Sequence, residues 1–290
     1  MDDDWSRWLD ENPDPDGDVD DLDPGSVVTL RRMPEDDEPA DRVDGGGLRR
    51  PILVVGGCGG AGTTTTVLGL AAELAADGTP TVAVDATAAG GDLALRGADE
   101  HLHPINLQSW VYGRGGDEPA PLHECLSRST SGFGLLWRDS APLRRRATYL
   151  TVARALDNEG YTPVYDGGHP IAGRQLRPLL DDAEIALVLT IPARVDAANR
   201  LRVTLEWLDD HYGDDGTGVV GDTTIVVSHQ YSRDDSRVAE HLREHLAGWV
   251  RDVVEIPYDP HLARGELVRH AELAARTRAA YGSLLAGVAS

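Results

Sequence analysis

The chain has 290 residues, enough for one large α/β domain, and a net charge of -22, which argues against the non-specific DNA binding that needs basic side chains. No run of 18 apolar residues is present, so no membrane span is expected, and Met1 is followed by three aspartates where a secretory signal would carry positive charge. Cys58 and Cys125 are the only cysteines and show neither metal nor disulfide spacing, which fits a reducing cytoplasm.

Residues 1–48 hold 17 acidic residues against 4 arginines, and Pro, Gly and Asp dominate them. Such a segment buries too little apolar surface to order itself and is read as an acidic, disordered tail ahead of a domain covering 49–290. Trp5, Trp8 and Leu9 stand at i, i+3, i+4 and would share one face of a short helix. They read either as a motif that docks on a protein partner or as incidental residues of a solvated tail.

The first predicted strand is Pro51–Val55. It runs into Gly57-Cys58-Gly59-Gly60-Ala61-Gly62-Thr63-Thr64-Thr65-Thr66, and a helix is predicted from Val67 to Ala76, ended by Gly78 and Pro80. Strand, glycine-rich loop and helix is the setting in which backbone N–H groups cradle a phosphate. The motif G-x-x-x-x-G-K-[ST] fits at every position but one. Gly57 and Gly62 are its glycines and Thr64 its Mg²⁺-binding hydroxyl, while Thr63 stands where the lysine belongs. No lysine occurs anywhere in the chain and Phe133 is the only phenylalanine, a bias that points to GC-rich coding. That bias explains Lys giving way to Arg better than Lys giving way to Thr.

A second buried strand, Thr81–Asp85, ends in a carboxylate and is followed by a loop over 86–93. Residues 97–147 read as irregular, with a small strand near Gly134–Trp137 and a basic cluster, Arg144-Arg145-Arg146. Regular alternation then resumes: a helix over Thr148–Leu156, a strand from Thr162 ending at Asp166, a helix from Arg174 to Leu180, and a strand over Ile185–Thr190. Next come a helix carrying Leu201, Leu205 and Leu208, a strand over Thr223–Val227, a helix over Ser236–Leu246 and a strand over Val253–Ile256. A last helix aligns Leu273, Thr277, Ala280, Leu284 and Val288 on one stripe. Alternating strands and helices predict an α/β fold of the P-loop NTPase type, a mostly parallel sheet with helices on both faces. Ligands of such sheets bind at the carboxyl ends of the strands, where the glycine loop, Asp85 and Asp166 all fall.

On these residues, roughly 50–288 of the chain resemble the MinD/ParA branch of P-loop NTPases. The loop of that branch reads K-G-G-x-G-K-T-T, against Cys58-Gly59-Gly60-Ala61-Gly62-Thr63-Thr64-Thr65 here. Asp85 with Gly91-Asp92-Leu93 resembles its first switch segment, which implies a catalytic carboxylate at Asp85 that helps to position the attacking water. Asp166 resembles the Walker B carboxylate, so Thr64 and Asp166 are the implied Mg²⁺ ligands. The segment Ile256–Leu262, with Thr277-Arg278 and Tyr281, resembles the C-terminal part of MinD-like proteins of actinobacteria, and the nucleotide base of the family lies near that Ile-Pro step. The implied ATP contacts are therefore Gly57, Gly59, Gly60, Gly62, Thr63, Thr64, Thr65 and Pro257.

The chain departs from the branch at three places. Thr63 replaces the lysine that bridges the β- and γ-phosphates, Cys58 replaces the signature lysine that reaches across an ATP-bound dimer, and Ser228-His229 follows the strand where an asparagine usually meets the adenine. A charge-assisted hydrogen bond contributes about 1.5–3 kcal/mol, so the change at 63 weakens nucleotide binding roughly ten- to a hundredfold. Arg144–Arg146 and Arg174 read either as substitute cations for the site or as solvated surface arginines. Two states of the site stay open: ATP and Mg²⁺ held weakly, or no cofactor. Two functions follow from them, a regulatory or scaffolding partner with a degenerate site, or an ATPase with an atypical loop that cycles between monomer and homodimer. Direct DNA contact, as in partition, is a weaker third. Of the remaining signals, Cys58 reads as a redox-sensitive thiol or a small loop residue, and His241 with His245 as a metal pair or a solvated helix face.

Overall fold

The structure is a computed structural model and describes residues 49–113, 120–144, 148–213, 218–231 and 237–289. The tail with Trp5, Trp8 and Leu9, and Arg145 and Arg146 of the basic cluster, lie outside the described residues.

Eight strands form one sheet: β1 (Ile52–Gly56), β2 (Thr81–Asp85), β3 (Ser127–Arg128), β4 (Gly134–Leu136), β5 (Thr162–Gly168), β6 (Ala186–Pro192), β7 (Thr224–Ser228) and β8 (Asp252–Ile256). Their spatial order is β3-β4-β2-β5-β1-β6-β7-β8. Every pairing is parallel except β3 with β4. The α-helices among the described residues are α1 (Thr63–Ala76), α2 (Leu93–Gly97), α3 (Leu107–Tyr112), α4 (Thr148–Asn158), α5 (Arg177–Leu180), α6 (Val195–Tyr212), α7 (Val238–His245) and α8 (Ala275–Ala289).

β1, β2 and β6 are buried at every position and mostly apolar, because both faces of the sheet are covered. Side chains alternate between faces. Ile52 and Val54 of β1 join one core with Leu70 and Leu74 of α1 and Leu284 and Val288 of α8. Leu53 and Val55 join the other core with Val152 of α4, Leu201, Leu205 and Leu208 of α6, and Leu242 of α7. On the first face Tyr281 packs against α1: a Cβ at Gly69 would lie 2.4 Å from its ring, so the absent side chain there is what lets α8 seat.

The ends of several elements differ from the sequence expectation for local reasons. α1 begins at Thr63, inside the glycine motif, because Gly62 is its N-cap. β5 continues through Gly168: its register with β1 shifts after Asp166, and Gly167 fits there because a Cβ would meet Val54 O at 3.1 Å and Val55 Cγ2 at 3.0 Å. The helix expected from Arg174 is reduced to the single turn of α5. Pro178 has no N–H to donate, which a helix tolerates only in its first turn, so the segment ahead of Arg177 forms turns instead. Within 97–147 the irregular stretch contains α3, whose N-cap Asn106 accepts from Ser109 N at 2.8 Å.

β3 and β8 form the margins of the sheet. β3 is two residues long. On β8, Val253 N–H donates to Asp252 Oδ1 at 2.7 Å, and Val253 O accepts from Arg243 Nε at 3.0 Å.

Candidate functional site

The glycine loop sits at the carboxyl end of β1. Gly57 N–H donates to Thr190 O at 2.8 Å, which fastens the start of the loop to β6. Gly60 and Gly62 have φ of 73° and 92°, in the left-handed region that costs other residues strain. The first N–H groups of an α-helix find no carbonyl within it, so the turn at Thr63–Thr65 presents free donors and the positive end of the helix dipole. The loop opens on a cleft of about 590 Å³, whose wall includes Gly59, Gly60, Gly62, Thr63, Thr64, Thr65 and Pro257. These are the ATP contacts expected from the sequence, with one exception. Gly57 is not in that wall; its N–H is engaged by β6, and a Cβ there would meet Ile191 Cγ2 at 2.9 Å, so its contribution is to let the loop pass over β6. Gln230 Nε2 ties the far side of the loop by donating to Gly60 O at 2.6 Å.

Thr63 is buried, and its Oγ1 lies 3.2 Å from Thr190 Oγ1, which donates on to Val55 O at 3.3 Å. The hydroxyl is thus turned toward the sheet. Gly56 makes room for it, since a Cβ at 56 would stand 2.8 Å from that oxygen. Position 63 adds no charge to the cleft.

The two residues expected to hold Mg²⁺ do meet: Thr64 Oγ1 donates to Asp166 Oδ2 at 2.6 Å. Asp166 Oδ1 accepts from Gly168 N at 3.1 Å, and the carboxylate is fully buried. Burial, helped by neighbouring Asp85, pushes its pKa up to about 6 against the bond from Thr64. A hydroxyl and a carboxylate are hard oxygen donors of the kind Mg²⁺ prefers, and a cation here would offset the cost of burying the charge. The pair fits that metal.

Asp85 stands beside Asp166 across β2 and β5. Its carboxylate does not line the cleft. Oδ1 accepts from Thr87 N at 3.0 Å and Thr87 Oγ1 at 2.6 Å, and Oδ2 accepts from Gly91 N at 2.8 Å. Burial raises its pKa, opposed by these bonds and by the Arg138 guanidinium. In this arrangement Asp85, the carboxylate that the sequence resemblance implied as catalytic, anchors the loop that leads to α2.

Two arginines matter that sequence reasoning passed over. Arg138 is 3% exposed and braces the same loop, donating to Thr87 O at 2.6 Å, Asp139 O at 3.1 Å and Ala141 O at 2.7 Å. Arg96, on α2, lines the cleft and donates from Nη1 to Thr65 Oγ1 at 2.8 Å. No local pattern marks either; only the sheet order brings β2 and its following helix against α1. The arginines that were expected lie elsewhere: Arg144 stacks 5.5 Å from the Tyr112 ring centre, and Arg174 is exposed outside the cleft wall. Cys58 is buried within the loop. His241 and His245 lie on an exposed face of α7 with ring centres 3.8 Å apart, His245 Nδ1 being 2.8 Å from His241 O. Among the described residues no group of three or more His, Cys, Asp or Glu side chains is placed to hold a metal ion.

A glycine loop between a central parallel strand and a helix, with a hydroxyl–carboxylate pair at its foot, is the architecture of a P-loop. No family model matches the chain, and no curated protein matches it in sequence. Solved structures do. The chain is similar to a chain of the MinC:MinD cell division protein complex of Aquifex aeolicus, with 18% identity, TM-score 0.60, and 81% of this chain and 96% of that chain covered. It is similar to a ParA family ATPase of Chlorobium tepidum TLS, with 14% identity, TM-score 0.58, and 75% and 88% covered. It is also similar to cobyrinic acid a,c-diamide synthase of Mycobacterium smegmatis, solved with an ATP analogue and magnesium, with 14% identity, TM-score 0.52, and 81% and 93% covered. The chain has the fold of the MinD/ParA-type P-loop ATPases.

Proposed function

We propose that this chain is a MinD/ParA-type protein with a degenerate nucleotide site, acting in the cytoplasm as a regulatory or scaffolding partner within a positioning, partition or secretion system. The observation that carries this reading is Thr63, whose side chain bonds to Thr190 and brings no cation to the phosphates. Catalysis of phosphoryl transfer is almost wholly positioning and charge stabilisation, so a loop without Lys at 63 or 58 keeps its architecture and loses its main electrostatic lever. Thr64 would hold Mg²⁺ directly and Asp166 through water, and the ion, when bound, neutralises phosphate charge. The acidic segment 1–48, with Trp5, Trp8 and Leu9, is the proposed partner contact. The MinC:MinD neighbour supports a protein partner, and the net charge of -22 speaks against direct DNA contact. No helix among the described residues is long and apolar enough to cross a membrane.

The test is phosphate release by the purified protein with ATP and Mg²⁺. The expected result is no release above a protein-free blank and no change of oligomeric state with nucleotide. Mg²⁺-dependent turnover that Asp85→Ala abolishes would overturn the reading. A second reading, an ATPase with an atypical loop that dimerises on ATP, is favoured by the intact Thr64–Asp166 pair at 2.6 Å. ATP-dependent dimerisation seen by light scattering, together with turnover, would establish it.

A further inference from the structure

Arg96 is the only arginine among the described residues that line the cleft. Its place is set by packing on both sides of it. Leu93 is fully buried, and Gly97 lies so close to the sheet that a Cβ would meet Leu135 Cδ2 at 2.5 Å and Leu68 Cδ2 at 2.6 Å. The Arg96 main chain is tied at both ends, its N–H to Asp92 O at 2.9 Å and its carbonyl to Val268 N at 2.7 Å. The side chain then spans to the first turn of α1, where Nη1 meets Thr65 Oγ1. Nε is buried and has no hydrogen-bond partner. A buried N–H without an acceptor is costly, and a guanidinium has five donors to place. Burial lowers the Arg96 pKa, while Asp92, Tyr281 and Asp166 support its charge.

We propose that Arg96 is the phosphate-binding cation of this site and that it takes the α,β-diphosphate of a nucleotide rather than the γ-phosphate. The inference rests on the reading of the cleft as a nucleotide site. In a P-loop the backbone N–H groups cradle the α- and β-phosphates, and the lysine reaches toward β and γ. Arg96 arrives beside Thr65, one residue past the Mg²⁺-binding Thr64 and on the helix side of the cradle. Thr63, at the lysine position, faces the sheet. A nucleoside diphosphate therefore meets the same cation as a triphosphate, and the added phosphate meets no arginine from the described cleft wall. Exchange of the Thr65 hydroxyl for a phosphate oxygen also supplies an anionic acceptor next to the orphaned Nε.

The experiment is titration calorimetry of the full chain with ADP, ATP and adenosine, on the natural protein, Arg96→Gln and Arg96→Lys. ADP and ATP are expected to bind the natural protein with constants within about threefold of each other. Arg96→Gln, which keeps a polar side chain without the charge, is expected to lose about ten- to a hundredfold for both, and Arg96→Lys to retain most of the affinity. Adenosine is expected to be indifferent to either change. Pyrophosphate is expected to compete with ADP on the natural protein. Nucleotide-free melting curves of the variants establish that both fold. Equal ADP affinity in the natural protein and Arg96→Gln overturns the proposal. So do ATP preferred by more than about tenfold, pyrophosphate that fails to compete, and no ADP binding at about millimolar concentration. Turnover of ATP, by contrast, bears on the degenerate-site reading alone.

Discussion

Thr64 Oγ1 donates to Asp166 Oδ2 at 2.6 Å and so joins the first turn of α1 to the end of β5. The carboxylate in this pair has its pKa raised from 3.8 to about 6, first by burial and then by Asp85. A carboxyl group with a raised folded-state pKa binds its proton more tightly folded than unfolded, so its stabilising contribution is present at acidic pH and lost as pH climbs from 3.8 through about 6. Asp166→Asn removes the buried charge. The melting temperature of the variant relative to the natural protein is expected to rise between about pH 4 and about pH 7.5, and Mg²⁺ should no longer raise it. Differential scanning calorimetry across that range, with and without Mg²⁺, checks both.

Thr63→Lys restores the motif lysine. Nucleotide affinity is expected to increase by roughly ten- to a hundredfold, the worth of one charge-assisted bond. The lost Thr190 contact should lower nucleotide-free stability by only about 1 kcal/mol. Calorimetric titration with ATP and a urea melt separate the two effects. An unchanged affinity would mean that the loop cannot present a side chain to the phosphates.

Gly69→Ala pits helix propensity against packing. Alanine favours a helix interior by about 1 kcal/mol over glycine. Its methyl group would stand 2.4 Å from the Tyr281 ring, inside a filled core. Overpacking of this kind costs about 1–3 kcal/mol, so a net destabilisation is expected. Tyr281→Phe gives up only a 3.4 Å bond to Thr65 O and should change stability by less than about 1 kcal/mol. Urea melts of the two variants report the difference.

Arg138→Met keeps much of the volume and removes three bonds to carbonyls. A loss of about 1–3 kcal/mol is expected, because Thr87 O loses its donor, while Asp139 O and Ala141 O keep the bonds from Gln108 Nε2 at 3.1 and 3.0 Å. Hydrogen exchange should speed up locally at 87–91, since Asp85 alone would then hold that loop.

The sheet was legible in the sequence wherever a strand is buried on both faces. Ile52–Val55, Thr81–Asp85 and Ile185–Thr190 are apolar runs of the right length, and turn residues bound them. The meeting of Thr64 with Asp166 was legible because the glycine loop after β1 and the end of β5 fall at the same edge of a parallel sheet. Arg96 and Arg138 were not legible: an arginine in a short polar stretch reads as solvated, and the contacts that bury them join residues 31 and 51 positions apart. Asp85 was placed correctly at its strand end, but sequence carries no sign that Thr87 and Gly91 occupy its oxygens. The helix start expected at Arg174 overlooked that Pro178 would then fall in a second turn.

The two outermost strands bear on solubility. A bare strand margin invites another chain to add to it and so to aggregate. Here one margin ends in a stub of two residues, and on the other both main-chain groups of Val253 are already taken by Asp252 and Arg243. At these two points the margins offer less template for edge-to-edge growth.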